Sequence, residues 1–96
     1  MTVARHYSLK AAEGREADLE KALAALALKI CACAGCERVE IFTDAQDARC
    51  YIFIEHWRNA DDREVAGAGL GKAAFAPISE TLAGRPEARD LRLVQH

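Results

Sequence analysis

Two aromatic residues, a glutamate and a tryptophan occupy alternate positions in the segment RCYIFIEHW, and such residues could bind and deprotonate a small aromatic molecule. Glu55 and Trp57 are two positions apart, and Tyr51 and Phe53 precede them at the same spacing. In a β-strand, residues at this spacing lie on one face. A carboxyl group among aromatic side chains is desolvated, which raises its pKa and suits it to act as a general base. We therefore expect Glu55 to be catalytic and Trp57, Tyr51 and Phe53 to bind substrate.

Structural roles for the same residues are an open alternative at this stage. Trp57 could be a core residue whose indole contacts no ligand. Glu55 could pair with Arg38, with Arg5 or with an arginine of a second copy of the chain. Tyr51 could pack in the core with its hydroxyl hydrogen-bonded to a neighbour. The spacing alone does not choose between these roles and a binding pocket.

His6 is a second candidate base, because imidazole exchanges protons near neutral pH. On its predicted strand it shares a face with small and polar residues, so a surface histidine is the alternative. His56 alternates with Trp57, and we expect it to face the helix layer or the end of the sheet. The remaining histidine, His96, is the last residue.

Three of the four cysteines lie close together in the sequence ICACAGC. Thiolates at short spacing bind zinc, but two of them fall at the end of a predicted helix, where residues two apart diverge by about 200°. No second C-x-x-C or H-x₃-H pattern supplies further ligands. We therefore expect no metal. Small buried thiols or a redox role are the alternatives for the four residues Cys31, Cys33, Cys36 and Cys50.

Hydrophobic periodicity shows which elements must position these residues. Alternation predicts strands over residues 2–9, 36–43, 49–57 and 89–95. Leu91 and Leu93 are expected to point inward from the last strand. Steps of three and four residues predict an amphipathic helix from Glu16, with Gly35 as its C-terminal cap. Its apolar stripe contains Leu19, Leu23, Leu26, Ile30 and Cys33.

A second helical segment is predicted between the third and fourth strands. Asn59 offers an N-cap, and the glycines at 67, 69 and 71 interrupt the helix before it continues through Phe75. We expect a substrate pocket between this segment and the sheet. Phe75 and Tyr7 are expected to bind substrate there. The hydroxyl groups of Tyr7 and Tyr51 could hydrogen-bond a substrate oxygen, and packing with a satisfied hydroxyl is the alternative for both.

The resulting order of elements, β-α-β-β-α-β, is typical of the α+β ferredoxin-like fold. In this fold, four antiparallel strands form a sheet with the helices on one face, and a single domain accounts for residues 1–96. The strand over 49–57 is apolar on both faces, so the face away from the helices needs a cover. We therefore expect a homodimer.

Composition excludes several classes of protein. The net charge of −2 argues against a nucleic-acid partner, which would require a basic surface. No apolar run approaches the roughly 18–20 residues that cross a membrane. No secretory signal pattern opens the chain, so a cytoplasmic location is expected.

Four runs of residues carry a resemblance that covers nearly the whole chain: GREADLEKALAAL, AGCERVEIFTDAQD, RCYIFIEHWRNADDRE and LGKAAFAPISETL. They contain Gly-Cys at the start of the second strand, Asp-x-x-Asp in the following turn and Glu-x-Trp at the end of the third strand. In these features the chain resembles the antibiotic biosynthesis monooxygenase family.

The resemblance implies a ferredoxin-like subunit that dimerises into an α/β barrel. Some members of this family oxidise quinol or polycyclic aromatic substrates with dioxygen and no metal or flavin, others degrade haem, and many have no known activity. A cofactor-free monooxygenase acting on a flat, apolar small molecule is therefore expected. A non-catalytic dimer that binds a small ligand or supports an assembly is the alternative.

The chain departs from the family pattern in the stretch VAGAGLGKAAFAP, which contains no histidine. Members of the family often carry histidines there, and the axial histidine of the haem-degrading branch falls near the position of Phe75. Haem degradation is therefore not expected.

Overall fold

The computed structural model describes residues 2–95, so His96 lies outside the described residues. The elements follow the predicted order β-α-β-β-α-β, with the second helical segment divided into three pieces. The strands are β1 (Val3–Lys10), β2 (Cys36–Asp44), β3 (Asp47–Trp57) and β4 (Glu87–Arg92). The helices are α1 (Glu16–Cys31), α2 (Ala60–Leu70), a 3₁₀ turn (Lys72–Ala74) and the short α3 (Ala76–Ser79).

The four strands form one antiparallel sheet in the order β2-β3-β1-β4. The central pair aligns Arg5 with Glu55 and Tyr7 with Phe53. On its other side, β1 aligns Arg5 with Asp90. The predicted ferredoxin-like fold is confirmed, and its two central strands carry most of the candidate site residues.

Helix α1 packs on the sheet through an apolar stripe at helical spacing. Leu19, Leu23, Leu26 and Ile30 are buried, whereas Leu28 on the opposite side of the helix is 76% exposed. The predicted cap at Gly35 is wrong, because the helix already ends at Cys31. Gly35 instead leads into β2 with a φ of 87°.

The second helical segment is broken at one of the three glycines. Gly67 and Gly69 lie within α2, so the interruption predicted at these two positions is wrong. Asn59 caps α2 by accepting a hydrogen bond from the backbone N–H of Asp62 at 2.8 Å. The break follows at Gly71, which has a φ of 69°. Ala66 is the single buried residue of α2, and Ile78 is that of α3. The segment is therefore lightly anchored to the layer beneath it.

The two faces of the sheet differ in burial. Along β3, the side chains of Tyr51, Phe53, Glu55 and Trp57 are buried under the helices, and the alternate residues are half-buried on the other face. We call that other face, which includes Cys50, Ile52, Ile54 and His56, the open face. Of the two alternatives for His56, the helix layer is wrong: because Trp57 faces the helices, strand alternation places His56 on the open face. There, one residue before the end of β3, its Nε2 lies 2.6 Å from Oε1 of Glu40.

The expectation that Leu91 and Leu93 point inward is also wrong. Asp90 aligns with Arg5 and so takes the helix side of the sheet, which turns Leu91 to the open face. Leu93 lies beyond the end of β4 at Arg92. Their exposed fractions are 40% and 44%.

A membrane-crossing helix is not found in residues 2–95, where every helix is too short or too polar to span a bilayer.

Candidate functional site

The site centres on the C-terminal end of β3, where Glu55 and Trp57 project together beneath the helices. Their exposed fractions are 4% and 1%. The indole Nε1–H of Trp57 donates a hydrogen bond to Oε1 of Glu55 at 2.9 Å. Within residues 2–95, this is the one hydrogen bond to the Glu55 side chain. The carboxyl group is therefore buried with a single donor from the protein.

Burial raises the pKa of Glu55 above its ordinary value, because the charged form loses its hydration. The hydrogen bond from Trp57 and the positive charges of Arg5 and Arg63 act in the opposite direction. A carboxyl group whose pKa is raised toward neutrality is a stronger base than one in water, which is the property a general base requires.

Arg5 and Tyr7 form the second part of the site, on the strand next to Glu55. Nε of Arg5 donates to the Tyr7 hydroxyl at 3.3 Å, and the guanidinium carbon lies 5.4 Å from the centre of the tyrosine ring. The Tyr7 ring also meets Phe53 edge-to-face, with ring centres 6.0 Å apart. Burial and the nearby charge of Glu55 raise the pKa of Tyr7, so its hydroxyl stays protonated.

Asp90 on β4 joins two arginines at the edge of the site. Its Oδ2 lies 2.9 Å from Nη1 of Arg5, and its Oδ1 lies 3.6 Å from Nε of Arg63 on α2. Arg5 appeared in the sequence only as a possible partner of Glu55, and sequence analysis missed Arg63 and Asp90. The register of β4 on β1 is the signal that brings them together, and the sequence alone does not fix that register.

Two small cavities lie between the sheet and the helical segment that follows Trp57. The first, of about 30 Å³, is lined by Tyr7, Glu55, Trp57, Arg63 and Phe75, with α1 and α2 residues completing the wall. The second, of about 70 Å³, is almost wholly apolar and also has Tyr7 and Phe75 in its lining. Because both rings line both cavities, Tyr7 and Phe75 form the wall that the cavities share.

Five of the seven predicted site residues meet at these cavities: Glu55, Trp57, Phe53, Phe75 and Tyr7. Tyr51 does not line either of them. Its hydroxyl donates to Oε2 of Glu20 at 3.2 Å and lies 3.4 Å from the backbone oxygen of Glu16, both on α1. His6 lies on the open face, opposite Ile54. The structure thus does not bring Tyr51 or His6 to the cavities, and their roles in binding and catalysis stay predictions.

The alternative ion pairs of Glu55 are not formed within the described part of the chain. Arg38 lies beside Glu40, with Nε 3.4 Å from Oε1. Arg5 is aligned with Glu55 across the strands but directs its guanidinium to Asp90. Glu55 therefore interacts with the positive charges of the arginines at longer range and forms no salt bridge with them within residues 2–95.

The cysteines are free thiols. In residues 2–95, His, Cys, Asp and Glu side chains do not converge in any group of three that could hold a metal ion. Burial and the adjacent thiol of Cys31 raise the pKa of Cys36 to about 12, which keeps it protonated.

The chemistry available at the cavities is proton abstraction in a dry environment. A buried carboxyl group, an uncharged hydroxyl and an aromatic wall surround the same space. A carboxyl group in such surroundings can take up a proton from a weak acid.

Several solved structures share this fold over nearly the whole chain. SnoaB of Streptomyces nogalater, described as a cofactor-independent oxygenase, has a TM-score of 0.88 at 16% identity, covering 99% of this chain and 95% of that one. A candidate antibiotic biosynthesis monooxygenase of Caulobacter crescentus has a TM-score of 0.85 at 25% identity, covering 98% and 91%. The protein PA3566 of Pseudomonas aeruginosa has a TM-score of 0.77 at 26% identity, covering 97% and 95%.

A search of curated proteins finds no match. The family model described as antibiotic biosynthesis monooxygenase matches residues 2–65. That range includes β1, α1, β2 and β3, and with them Tyr7, Glu55 and Trp57. Because the model matches well over half of the chain, the resemblance seen in the sequence is confirmed, and the protein belongs to the antibiotic biosynthesis monooxygenase family.

Proposed function

We propose that the protein is a cofactor-independent monooxygenase that acts on a flat, apolar quinol or polycyclic aromatic substrate. The observation that carries the proposal is the buried Glu55, held by Trp57 at 2.9 Å and facing a cavity with aromatic walls. Membership of the monooxygenase family supports it. A structural neighbour described as a cofactor-independent oxygenase supports it further.

In the proposed reaction, Glu55 removes a proton from the substrate, and the resulting anion supplies the electrons for dioxygen. For an anthrone, the deprotonated ring carbon forms a bond to one oxygen atom of O₂. The hydroperoxide then loses water, so that the CH₂ group becomes a carbonyl and both of its hydrogens leave with the second oxygen. The protein supplies the base, the orientation and the exclusion of water.

A substrate must enlarge the cavities, because they hold about 70 and 30 Å³. An engineered apolar cavity of about 150 Å³ is known to hold benzene. The lightly anchored segment α2–α3 is the element that we propose to move, since α2 buries only Ala66. Displacement of Phe75, which stands between the cavities, would join them.

The test is oxygen uptake during incubation with anthrones and quinols, with an anaerobic control. We expect uptake with the native protein and a fall of about 10²–10⁴-fold in Glu55→Gln, the range for loss of a general base. Glu13→Gln, which removes an exposed carboxyl group from the turn before α1, is the matched control and should retain activity. Equal activity of Glu55→Gln and Glu13→Gln would contradict the role of Glu55.

A non-catalytic ligand-binding dimer is the second candidate. The observation that favours it is the hydrogen bond from Trp57, since it can serve to pack a buried carboxyl group as well as to orient a base. Aromatic ligands that bind with no oxygen uptake would identify this function.

For either function we propose a homodimer, assembled through the open face. That face presents Ile52 and Ile54 half-buried, with Phe42 at 49% and Leu91 at 40% exposure. Apolar sheet faces of this kind are covered by a partner in stable proteins.

The cytoplasm is the compartment that we propose, because reducing conditions maintain the free thiols that the structure contains.

A further inference from the structure

Tyr7 occupies an unusual position in the site, because its hydroxyl is held from behind by a guanidinium group. Nε of Arg5 donates to the hydroxyl oxygen at 3.3 Å, and Arg5 is itself anchored to Asp90 at 2.9 Å. Within residues 2–95, the bond from Arg5 is the one hydrogen bond of the Tyr7 hydroxyl. The oxygen therefore acts as an acceptor toward Arg5, and its proton has no acceptor in the described protein.

The tyrosine lies where such a proton could reach a ligand. Tyr7 lines the same small cavity as Glu55 and Trp57 and also lines the larger apolar cavity. Arg5 is aligned with Glu55 across the central strands, and Tyr7 is the next residue on that face of β1. A donor and a base thus face one cavity from neighbouring strands.

The charges around the cavity balance in a way that bears on the ligand. Two guanidinium groups, Arg5 and Arg63, face two carboxyl groups, Asp90 and Glu55. With Glu55 ionised, the four charges sum to zero, so a ligand that is already an anion gains nothing from the site. When Glu55 takes up a proton, the remaining three groups carry a net positive charge, which favours a new anion in the cavity.

We propose that Tyr7 donates a hydrogen bond to the ligand oxygen on which negative charge develops, and that the site takes phenols and enols in their neutral form. Arg5 is the positioning residue, because it fixes the hydroxyl and polarises it. This inference rests on the proposed role of Glu55 as the base. It adds the group that stabilises the conjugate base of the substrate.

The test uses 4-nitrophenol, whose anion absorbs visible light, with nitrobenzene as a probe of similar shape that has no hydroxyl. In Glu55→Gln the base is absent, so the net positive charge should stabilise the nitrophenolate. Bound 4-nitrophenol should then ionise at a lower pH than it does in free solution, and at a lower pH than when bound to the native protein.

Adding Tyr7→Phe to Glu55→Gln should lower the affinity for nitrophenolate by about 10–100-fold, the size expected for a hydrogen bond to a charged group. The affinity for nitrobenzene should not change. Arg5→Lys should also weaken nitrophenolate binding, because lysine cannot contact Tyr7 and Asp90 through a planar fork. The Arg5→Lys variant therefore tests the proposal even if Tyr7→Phe fails to fold. Thr43→Val, which removes an exposed hydroxyl on β2, is the control.

Equal losses of affinity for nitrobenzene and nitrophenolate would show that Tyr7 only packs against the ligand, which would overturn the proposal. Failure of Glu55→Gln to bind nitrophenolate would also overturn it. The oxygen-uptake assay is independent of this titration. Nitrophenolate binding that depends on Tyr7, with no oxygen uptake from anthrones or quinols, would overturn the proposed oxygenase activity. It would leave the role of Tyr7 as a hydrogen-bond donor intact. Oxygen uptake that is unchanged in Tyr7→Phe would overturn the role of Tyr7 as a hydrogen-bond donor, but not the oxygenase activity.

Discussion

Nε1 of Trp57 lies 2.9 Å from Oε1 of Glu55, so the indole N–H at the end of β3 donates to the carboxyl group two residues before it. The strand repeat places both side chains on the helix side of the sheet. Only one carboxyl oxygen is engaged in this bond. The other oxygen is available to the cavity that the two residues share with Tyr7.

Trp57→Phe should raise the pKa of Glu55 further, because the indole N–H stabilises the ionised carboxylate. It should also weaken the binding of aromatic ligands, since the larger ring system forms part of the cavity wall. NMR titration of the Glu55 carboxyl carbon measures the first effect, and ligand titration measures the second. An unchanged carboxyl pKa would mean that the bond does not select the ionised form.

The raised pKa of Glu55 predicts a specific dependence of stability on pH. In the folded state, Glu55 holds its proton above the ordinary value of 4.5, whereas in the unfolded chain it does not. Its contribution to the free energy of unfolding is therefore complete below that value. It falls as the pH rises through the interval between the unfolded and folded pKa values, and then levels off.

Denaturant unfolding of native protein and Glu55→Gln over a pH series measures this contribution as a difference. The difference cancels the opposite effect of Glu40, Asp47 and Asp62. Their pKa values are lowered in the folded state, so the stability that they contribute to the protein is lost as the pH falls. We expect the native protein to lose stability relative to Glu55→Gln as the pH rises. Parallel curves would contradict a raised pKa.

Phe75→Ala should join the two cavities and increase the affinity for single-ring aromatic ligands. Truncating a buried phenylalanine costs about 3–5 kcal/mol, and a half-buried one should cost less. Titration with benzene or toluene together with thermal unfolding measures both effects. Leu28→Ala, on the outer face of α1 at 76% exposure, should alter neither. Weaker binding by Phe75→Ala would show that the ring is a ligand contact and not a partition.

Ile54→Lys should disrupt the proposed dimer, because Ile54 lies on the open face between Glu40 and His6. A stable interface is expected to bury more than about 1,200 Å² in total. Light scattering at micromolar concentration should give twice the mass of one chain for the native protein and the mass of one chain for the variant. Val65→Lys, at a site on α2 that is 72% exposed, is the control. A native protein with the mass of one chain would refute the dimer.

Gly35→Ala should destabilise the junction between α1 and β2 for two reasons. Gly35 has a φ of 87°, and an added Cβ would lie 2.6 Å from Cβ of Asp62 at the start of α2. Gly14→Ala supplies the matched control, since its φ is 82° and nothing lies within 4 Å of the added atom. We expect a loss of about 1 kcal/mol for Gly14→Ala from backbone strain alone, and a larger loss for Gly35→Ala. Equal losses in thermal unfolding would show that Asp62 can move aside.

The fold could be predicted from the sequence because local signals and the global arrangement agree. The alternation along β3, the stripe from Leu19 to Ile30 and the glycine at 71 each identified an element that the structure contains. The shared face of Glu55 and Trp57 also followed from spacing alone, since a period of two admits no other arrangement in a strand.

The parts that sequence analysis missed depend on contacts between distant segments. The alignment of Asp90 with Arg5 is set by the register of an exposed edge strand, all six residues of which are solvent-exposed. Without a clear apolar alternation, the register of such a strand is weakly specified by its sequence. The same gap explains the error at Leu91. Arg63 was missed because its position beside Asp90 depends on how α2 packs over the sheet.

The sheet is a single layer of backbone, and β3 passes through its middle. Phe53, Glu55 and Trp57 extend from this strand toward the cavities, and Ile54 and His56 extend from the same strand to the opposite side. A mutation that shifts the strand to suit a new ligand must therefore also shift the surface behind it. The shape of the cavities and the shape of the open face are therefore coupled, because both depend on the position of β3.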